Sequence, residues 1–383
     1  MRVLFWVQHL LGTGHLKRTA TVARALVDQG LEVTVVSGGP PAPWLVPDGV
    51  ELVQLPCVRA RDLAFSALVD ADDRPIDDAF RAARRDRLLA LFTALRPQVV
   101  MTEMFPFGRR AFRFELLPLL AAAAGARPRP WVIGSVRDIL VPKPAPERYS
   151  WMRDLVLAHY DRVLVHTDPA LIPFDLTFPY ASELGARLLN TGYVVAAGPP
   201  ACAGEEVLVS AGGGRVGSAL VAAALAARPL SQQSERPWRV IAGGALDGAS
   251  LGARRAGLPP GIVLERQRDD FQAVLAKSLL SVSQAGYNTV VEVLQLGKPM
   301  VLVPFETATE TEQRIRAERL SRLGLAEIVW ESELTPSSLA RAIDRVASCP
   351  PEGRRALDLD GAATSARLLA ELAAREAPAE PAG

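Results

Sequence analysis

Histidine and cysteine are scarce in this 383-residue chain, which has four of the first and three of the second. Cys57, Cys202 and Cys349 lie far apart and form no CxxC pair. That excludes a disulfide framework and points to reduced, incidental thiols of a cytoplasmic protein. No His/Cys/carboxylate cluster has metal-ligand spacing, so no metal site is expected. A net charge of +1 supplies no overall field to recruit nucleic acid. Long apolar runs are missing too: none approaches the roughly 20 residues of a membrane span. The chain enters a strand pattern at Arg2-Val3-Leu4-Phe5, without the charged region, apolar core and cleavage site of a signal peptide.

What is present is apolar residues, 49 % of the total, over a length that suggests two domains. Val3 to Gln8 reads as a strand, Gly12-Thr13-Gly14-His15 as a glycine turn, and Leu16 to Gln29 as an amphipathic helix before strand Glu32 to Ser37. Lys17 occupies the third glycine place of GxGxxG, which weakens a dinucleotide reading. Helix Asp77 to Leu95 carries Arg81, Arg84, Arg85 and Arg87, either as a solvated face or toward an anionic substrate or membrane surface. Asp70-Ala71-Asp72 has the form of a metal-binding DxD, but no strand runs into it, so a solvated turn is expected. Further strands end in Glu103, in Arg137-Asp138 and in His166. Ligands of open α/β sheets bind beyond the carboxyl ends of strands, which marks these residues as candidates. Ala196 to Glu205, with Gly198-Pro199-Pro200, is the best linker. After it the pattern restarts, with strand Glu206 to Ser210, turn Ala211-Gly212-Gly213-Gly214-Arg215 and helix Val216 to Ala227.

The second half is organised around Ser281 to Gln313. An apolar strand breaks at Gln284-Ala285-Gly286. A helix capped by Asn288 runs from Thr289 to Leu296 and stops at Gly297 and Pro299, and Met300 to Phe305 is a buried strand. A helix that starts at a glycine turn beside a strand end offers backbone N–H groups and its positive dipole end, a site for a diphosphate. Ser283, Gly286, Glu292, Gly297-Lys298-Pro299, Val303-Pro304-Phe305 and Gln313 stand in an order that resembles the MurG-like glycosyltransferases. The resemblance implies the GT-B fold: α/β, with two Rossmann-like, doubly wound domains facing a cleft. Expected boundaries are 1–197 for an acceptor domain, 198–360 for a nucleotide-sugar domain, 361–375 for a helix crossing back and 376–383 for a disordered tail. One position departs, since Glu312 stands where the family has the first of a glutamine pair. Thr102 to Leu120 and Val165 to Tyr180 resemble an uncharacterised bacterial branch of these enzymes more than MurG itself.

By that resemblance the donor lies on Gly212, Gly213, Gly214, Ser283 and Gly286 through its diphosphate and on Glu292 through its ribose. Its base lies near Arg268, and its sugar on Glu312 and Gln313. No cofactor is implied beyond the nucleoside-diphosphate sugar, with UDP the expected nucleotide, and the helix dipole stands in place of a metal. His15 is the first choice for the base that takes the acceptor's proton, with Glu103 and Asp138 to orient it or to replace it. Gly14, Arg109 and Arg137 would contact a small-molecule or lipid-linked acceptor. The expected activity is inverting and metal-independent, in the cytoplasm or peripherally on the inner membrane face. The alternatives are an isomerase resembling UDP-N-acetylglucosamine 2-epimerase, or a non-catalytic nucleotide-sugar binder.

Overall fold

Two all-parallel sheets, each built around one central apolar strand, order the computed structural model. It describes residues 1–62, 67–143, 145–212, 216–307, 311–348 and 357–373. In chain order the first unit contains β1 (Arg2–Val7), α1 (Gly14–Asp28), β2 (Glu32–Ser37) and β3 (Val50–Gln54). A small hairpin of β4 (Arg59–Ala60) and β5 (Leu68–Val69) precedes α2 (Asp78–Leu95) and β6 (Val99–Glu103). There follow α3 (Arg113–Gly125), β7 (Trp131–Arg137), α4 (Glu147–His159), β8 (Arg162–His166), α5 (Ala181–Leu184) and β9 (Leu188–Asn190). The second unit runs through β10 (Glu206–Ser210), α6 (Ser218–Ala227), β11 (Trp238–Ile241), α7 (Gly248–Arg255) and β12 (Ile262–Glu265). It continues with α8 (Phe271–Ala276), β13 (Ser278–Ser283), α9 (Tyr287–Leu296), β14 (Met300–Leu302), α10 (Glu312–Arg322), β15 (Glu327–Ile328) and α11 (Pro336–Ser348). The last helix, α12 (Gly361–Ala373), returns to the first unit, which comprises Met1–Val194 and Asp358–Gly383, while Val195–Leu357 form the second.

The first sheet has the order β3-β2-β1-β6-β7-β8-β9 and the second β12-β11-β10-β13-β14-β15. Strands such as β1, buried from Val3 to Val7, are apolar on both faces because helices cover both. The order reverses between β1 and β6 in one sheet and between β10 and β13 in the other, and at such a reversal the loops diverge and open a crevice. Register fixes what meets there. Trp6 pairs with Thr102, which sets the β1 exit beside Glu103, and Ser210 pairs with Ser283.

Helix α12 returns because Ala366, Leu369 and Leu372 share a core with Leu16, Val22, Ala23 and Leu26 of α1. Val194 bridges Asp360, and the Tyr193 N–H donates to the Asp358 carbonyl at 2.7 Å. The segment from Ala196 has no regular structure, as its composition implies, but it is tied down: Gln295 donates to the Ala196 carbonyl, and Lys298 to those of Cys202 and Ser278. Among the described residues no helix is long and apolar enough to cross a membrane.

Several expected boundaries move. Gly286, not Asn288, caps α9, which therefore starts at Tyr287. Helix α6 starts at Ser218 behind Gly217, whose φ of 105° suits only glycine. Helix α7, capped by Asp247, has no counterpart in the sequence reading, because its glycines and arginines mask its period. Residues 374 and 375 of the expected crossing helix, and the expected tail 376–383, lie outside the described residues.

Candidate active site

At the β1/β6 crevice the first turn of α1 presents His15 to the last residue of β6. The His15 Nδ1 lies 2.7 Å from Glu103 Oε1, and Arg18, one turn along α1, donates from Nη2 to the same oxygen. Glu103 is fully buried and its other oxygen, Oε2, has no hydrogen-bond partner among the described residues. Burial pushes the Glu103 carboxyl up, but His15, Arg18 and Arg109 outweigh it and hold it at about 2. Burial draws the His15 imidazole down from 6.5 to about 3; Arg109 and Arg18 assist, against the opposing pull of Glu103. The His15 side chain is 18 % exposed, and its ring is neutral at physiological pH. An ionised Glu103 can only accept, so Nδ1 carries the hydrogen and Nε2 is left with its lone pair.

The loop after β6 completes this corner. Met104 and Arg109 both adopt left-handed backbone, at φ of 64° and 58°, a conformation costing non-glycine residues about 1–2 kcal/mol each. The turn brings Arg109 back so that its Nε donates to the Gln8 carbonyl at 2.7 Å, on the loop that leads to Gly14 and His15. At the next strand end Arg137 is half-buried, and the fully buried Asp138 accepts the Ile139 N–H at 2.9 Å. Of the two carboxylates named as orienters, it is Glu103 that holds His15. His166 is consumed within the sheet, between Ser135 and Thr191 at 2.8 and 2.9 Å.

The β10/β13 crevice is finished in uncharged groups. Ser283, the last residue of β13, is fully buried, and its Oγ has no hydrogen-bond partner among the described residues. Gly286, N-cap of α9, has ordinary extended backbone, and a Cβ built there would meet nothing within 4 Å. The side of the turn where that Cβ would stand is therefore open. Opposite, Gly212 sits at φ 72° with its N–H toward Ser210 Oγ at 3.4 Å; Gly213 and Gly214 lie outside the described residues. Glu292 is buried on α9, 3 % exposed. Arg268 forms a two-pronged ion pair with Asp270 at 2.7 Å and also meets Glu265. At the start of α10, Glu312 is buried, while the Gln313 side-chain carbonyl accepts the Phe305 N–H at 3.1 Å, closing the loop after β14.

Two arginines, Arg18 and Arg316, were not singled out in the sequence. Arg316, 1 % exposed, donates to the Ala285 carbonyl at 2.6 Å and lies over the Tyr287 ring, so it fixes the turn into α9. The legible signal was a charge on the buried stripe Glu312, Arg316, Ala317, Leu320. Arg84 corrects the notion of one arginine face on α2: it is fully buried and forks onto Glu115, Gln8 and the carbonyls of Gly38 and Pro56. Arg81 and Arg85 pair instead with Asp78 and Asp86 at the surface. Lys298 of the Gly-Lys-Pro triplet likewise serves the fold, bonding two backbone carbonyls. Asp70 accepts the N–H groups of Asp72 and Arg74, so Asp70-Ala71-Asp72 is a self-satisfied turn. Among the described residues no three His, Cys, Asp or Glu are grouped to hold a metal ion.

Residues 213–366 match the glycosyltransferase family 28 C-terminal domain, and residues 13–171 a glycosyl transferase 4-like domain. The chain is 28 % identical over 174 residues to the UDP-N-acetylglucosamine--N-acetylmuramyl-(pentapeptide) pyrophosphoryl-undecaprenol N-acetylglucosamine transferase of Thermotoga neapolitana, covering 45 % of this chain and 49 % of that one. It spans less than half the length of the curated relatives it matches first. The calicheamicin glycosyltransferase CalG4 superposes with a TM-score of 0.67 at 20 % identity, over 99 % of this chain and 100 % of its own. Acinetobacter baumannii MurG does so with 0.59 at 18 % identity, over 97 % and 99 %. The chain thus has the GT-B fold, and residues 213–366 match the glycosyltransferase family 28 C-terminal domain.

Proposed function

We propose that the protein is an inverting glycosyltransferase that works without a metal ion and moves a sugar from a UDP-linked donor to a hydroxyl of its acceptor. The observation that carries the proposal is the pairing of His15 with the buried Glu103 at the β1/β6 crevice. Glu103 fixes the imidazole by Nδ1, so Nε2 is the atom that takes the proton of the acceptor hydroxyl. The freed oxygen attacks the anomeric carbon as the bond from that carbon to the phosphate oxygen breaks. One displacement inverts the configuration and releases UDP. The charge that collects on the leaving diphosphate falls to the turn Ser283 to Gly286, to the start of α9 and to Gly212. Glu292 would take the ribose hydroxyls and Arg268 would stand at the base. Glu312 and Gln313 would face the sugar, while Gly14, Arg109 and Arg137 would flank the acceptor. Asp138 is the reserve carboxylate. The name of the Thermotoga relative supports a nucleotide-sugar donor and a lipid-linked acceptor, hence work at the inner membrane face.

The test is a panel of UDP, dTDP and GDP sugars, scored by nucleoside-diphosphate release with cell extract as acceptor, with and without EDTA. Release from a UDP sugar that is unchanged by EDTA is expected. A requirement for Mg²⁺ would refute the metal-free step, and epimerised sugar from donor alone would make the protein an isomerase.

A further inference from the structure

The acid–base pair contains a third member that the proposed chemistry does not use. Arg18 is 3 % exposed, and it lies one helical turn beyond His15, where a long side chain points back toward the helix start. Its Nη2 donates to Glu103 Oε1 and sits 3.4 Å from His15 Nδ1, so one carboxylate oxygen serves both residues. In a His–Glu pair the charge of the carboxylate raises the affinity of the imidazole for a second proton, toward imidazolium. In that form Nε2 already carries a proton and cannot accept one. A guanidinium on the same oxygen neutralises the carboxylate without a second proton, since arginine stays charged at every physiological pH.

We propose that Arg18 is the positioning residue that keeps this pair in its accepting form: it balances the charge of Glu103, so that His15 is held by the carboxylate and remains uncharged. The inference rests on the assignment of His15 as base, which a separate arm of the experiment tests. The other charged and titratable groups around His15 come from several elements. Burial lowers its basicity most and Arg109, on the loop after β6, lowers it more than Arg18 does, while His9 at the β1 exit and His166 at the end of β8 lie in the same field. Arg137 ends β7 and Asp138 follows it, and α12, packed along α1, carries Arg367 and Glu371, both exposed. Of these, Arg18 shares the oxygen that His15 uses.

The experiment follows the four imidazoles by NMR through a pH titration, with His15→Ala assigning the His15 signals. In the intact protein the His15 ring should stay neutral well below pH 6.5. In Arg18→Met its midpoint should rise by about 1–3 pH units, the range for one close charge, and the acid limb of the pH–rate profile should rise with it. Arg18→Lys, which restores charge without the fork, should bring both back toward the original. An unchanged His15 midpoint in Arg18→Met, or a lower rate at every pH with an unmoved limb, overturns the proposal. If Arg18→Met does not fold, Arg18→Gln carries the same comparison, as its amide donates without charge. Should His15→Ala keep full turnover, the base assignment fails, while the NMR midpoint still reports whether Arg18 governs the ring.

Discussion

Each unit has its own crevice where its strand order reverses, and the two are lined with opposite chemistry. At the reversal between β1 and β6 the end of β6 and the first turn of α1 bring together Glu103, His15 and Arg18, three ionisable groups of which Glu103 and Arg18 are buried and His15 is partly exposed. At the reversal between β10 and β13 the corresponding places hold Ser210, Gly212, Ser283 and Gly286, with no charge on any of them. The sheet topology is shared, so the difference lies in the residues placed at the exits. A proton is moved by groups whose charge can change. An anion is held by hydrogen-bond donors and a helix start that need no desolvated cation. The unit with all four histidines is suited to the first task, and the one with none to the second.

Three measurements would break or sharpen that contrast. The largest effect is expected from His15→Ala, which should lower turnover by about 10²–10⁴-fold while leaving UDP affinity unchanged by calorimetry. Equal losses in both would erase the division of labour. Next comes acid. His15 and His166 both fall from 6.5 to about 3 in the folded protein, mainly through burial. The unfolded chain therefore binds these protons from about pH 6.5 downward and the native chain only near 3. Their share of stability is complete above 6.5 and is lost as pH falls through that window. Glu103, held at about 2 against an ordinary 4.5, adds a loss in the same direction between those values. Hydrogen exchange at about pH 4 should thus show deprotection concentrated in Met1–Val194, by several kcal/mol. Uniform deprotection of both units would contradict it. The smallest effect belongs to Ser283→Ala. Removing a buried hydroxyl that has no partner among the described residues should not lower the melting temperature, yet UDP binding should weaken by about 0.5–1.5 kcal/mol. Intact affinity would move the diphosphate away from this turn.

Much of the site was readable in linear order, because strand, glycine and helix start are local features. Ser283, Gly286 and the strand ends at Glu103 and Arg137 fall where period and turn residues put them. The helix caps were less legible. Asn288 competes for the cap on propensity, but the backbone is already extended at Gly286, and the helix begins there. Arg84 and Arg316 were hidden for another reason, since a charged residue reads as solvated until its buried partner is known.

Taken alone, the amino-acid order determined two repeats of alternating strand and helix, the glycine turns between them and the residue types at each exit, since these follow from short-range periodicity. The tertiary structure decided which exits meet. His15 and Glu103 are 88 residues apart, and only the insertion of β1 between β2 and β6 brings them within a hydrogen bond. It also decided that Arg18 completes the pair, because charge balance inside a protein depends on what has been excluded from water, and burial is a property of the packed whole.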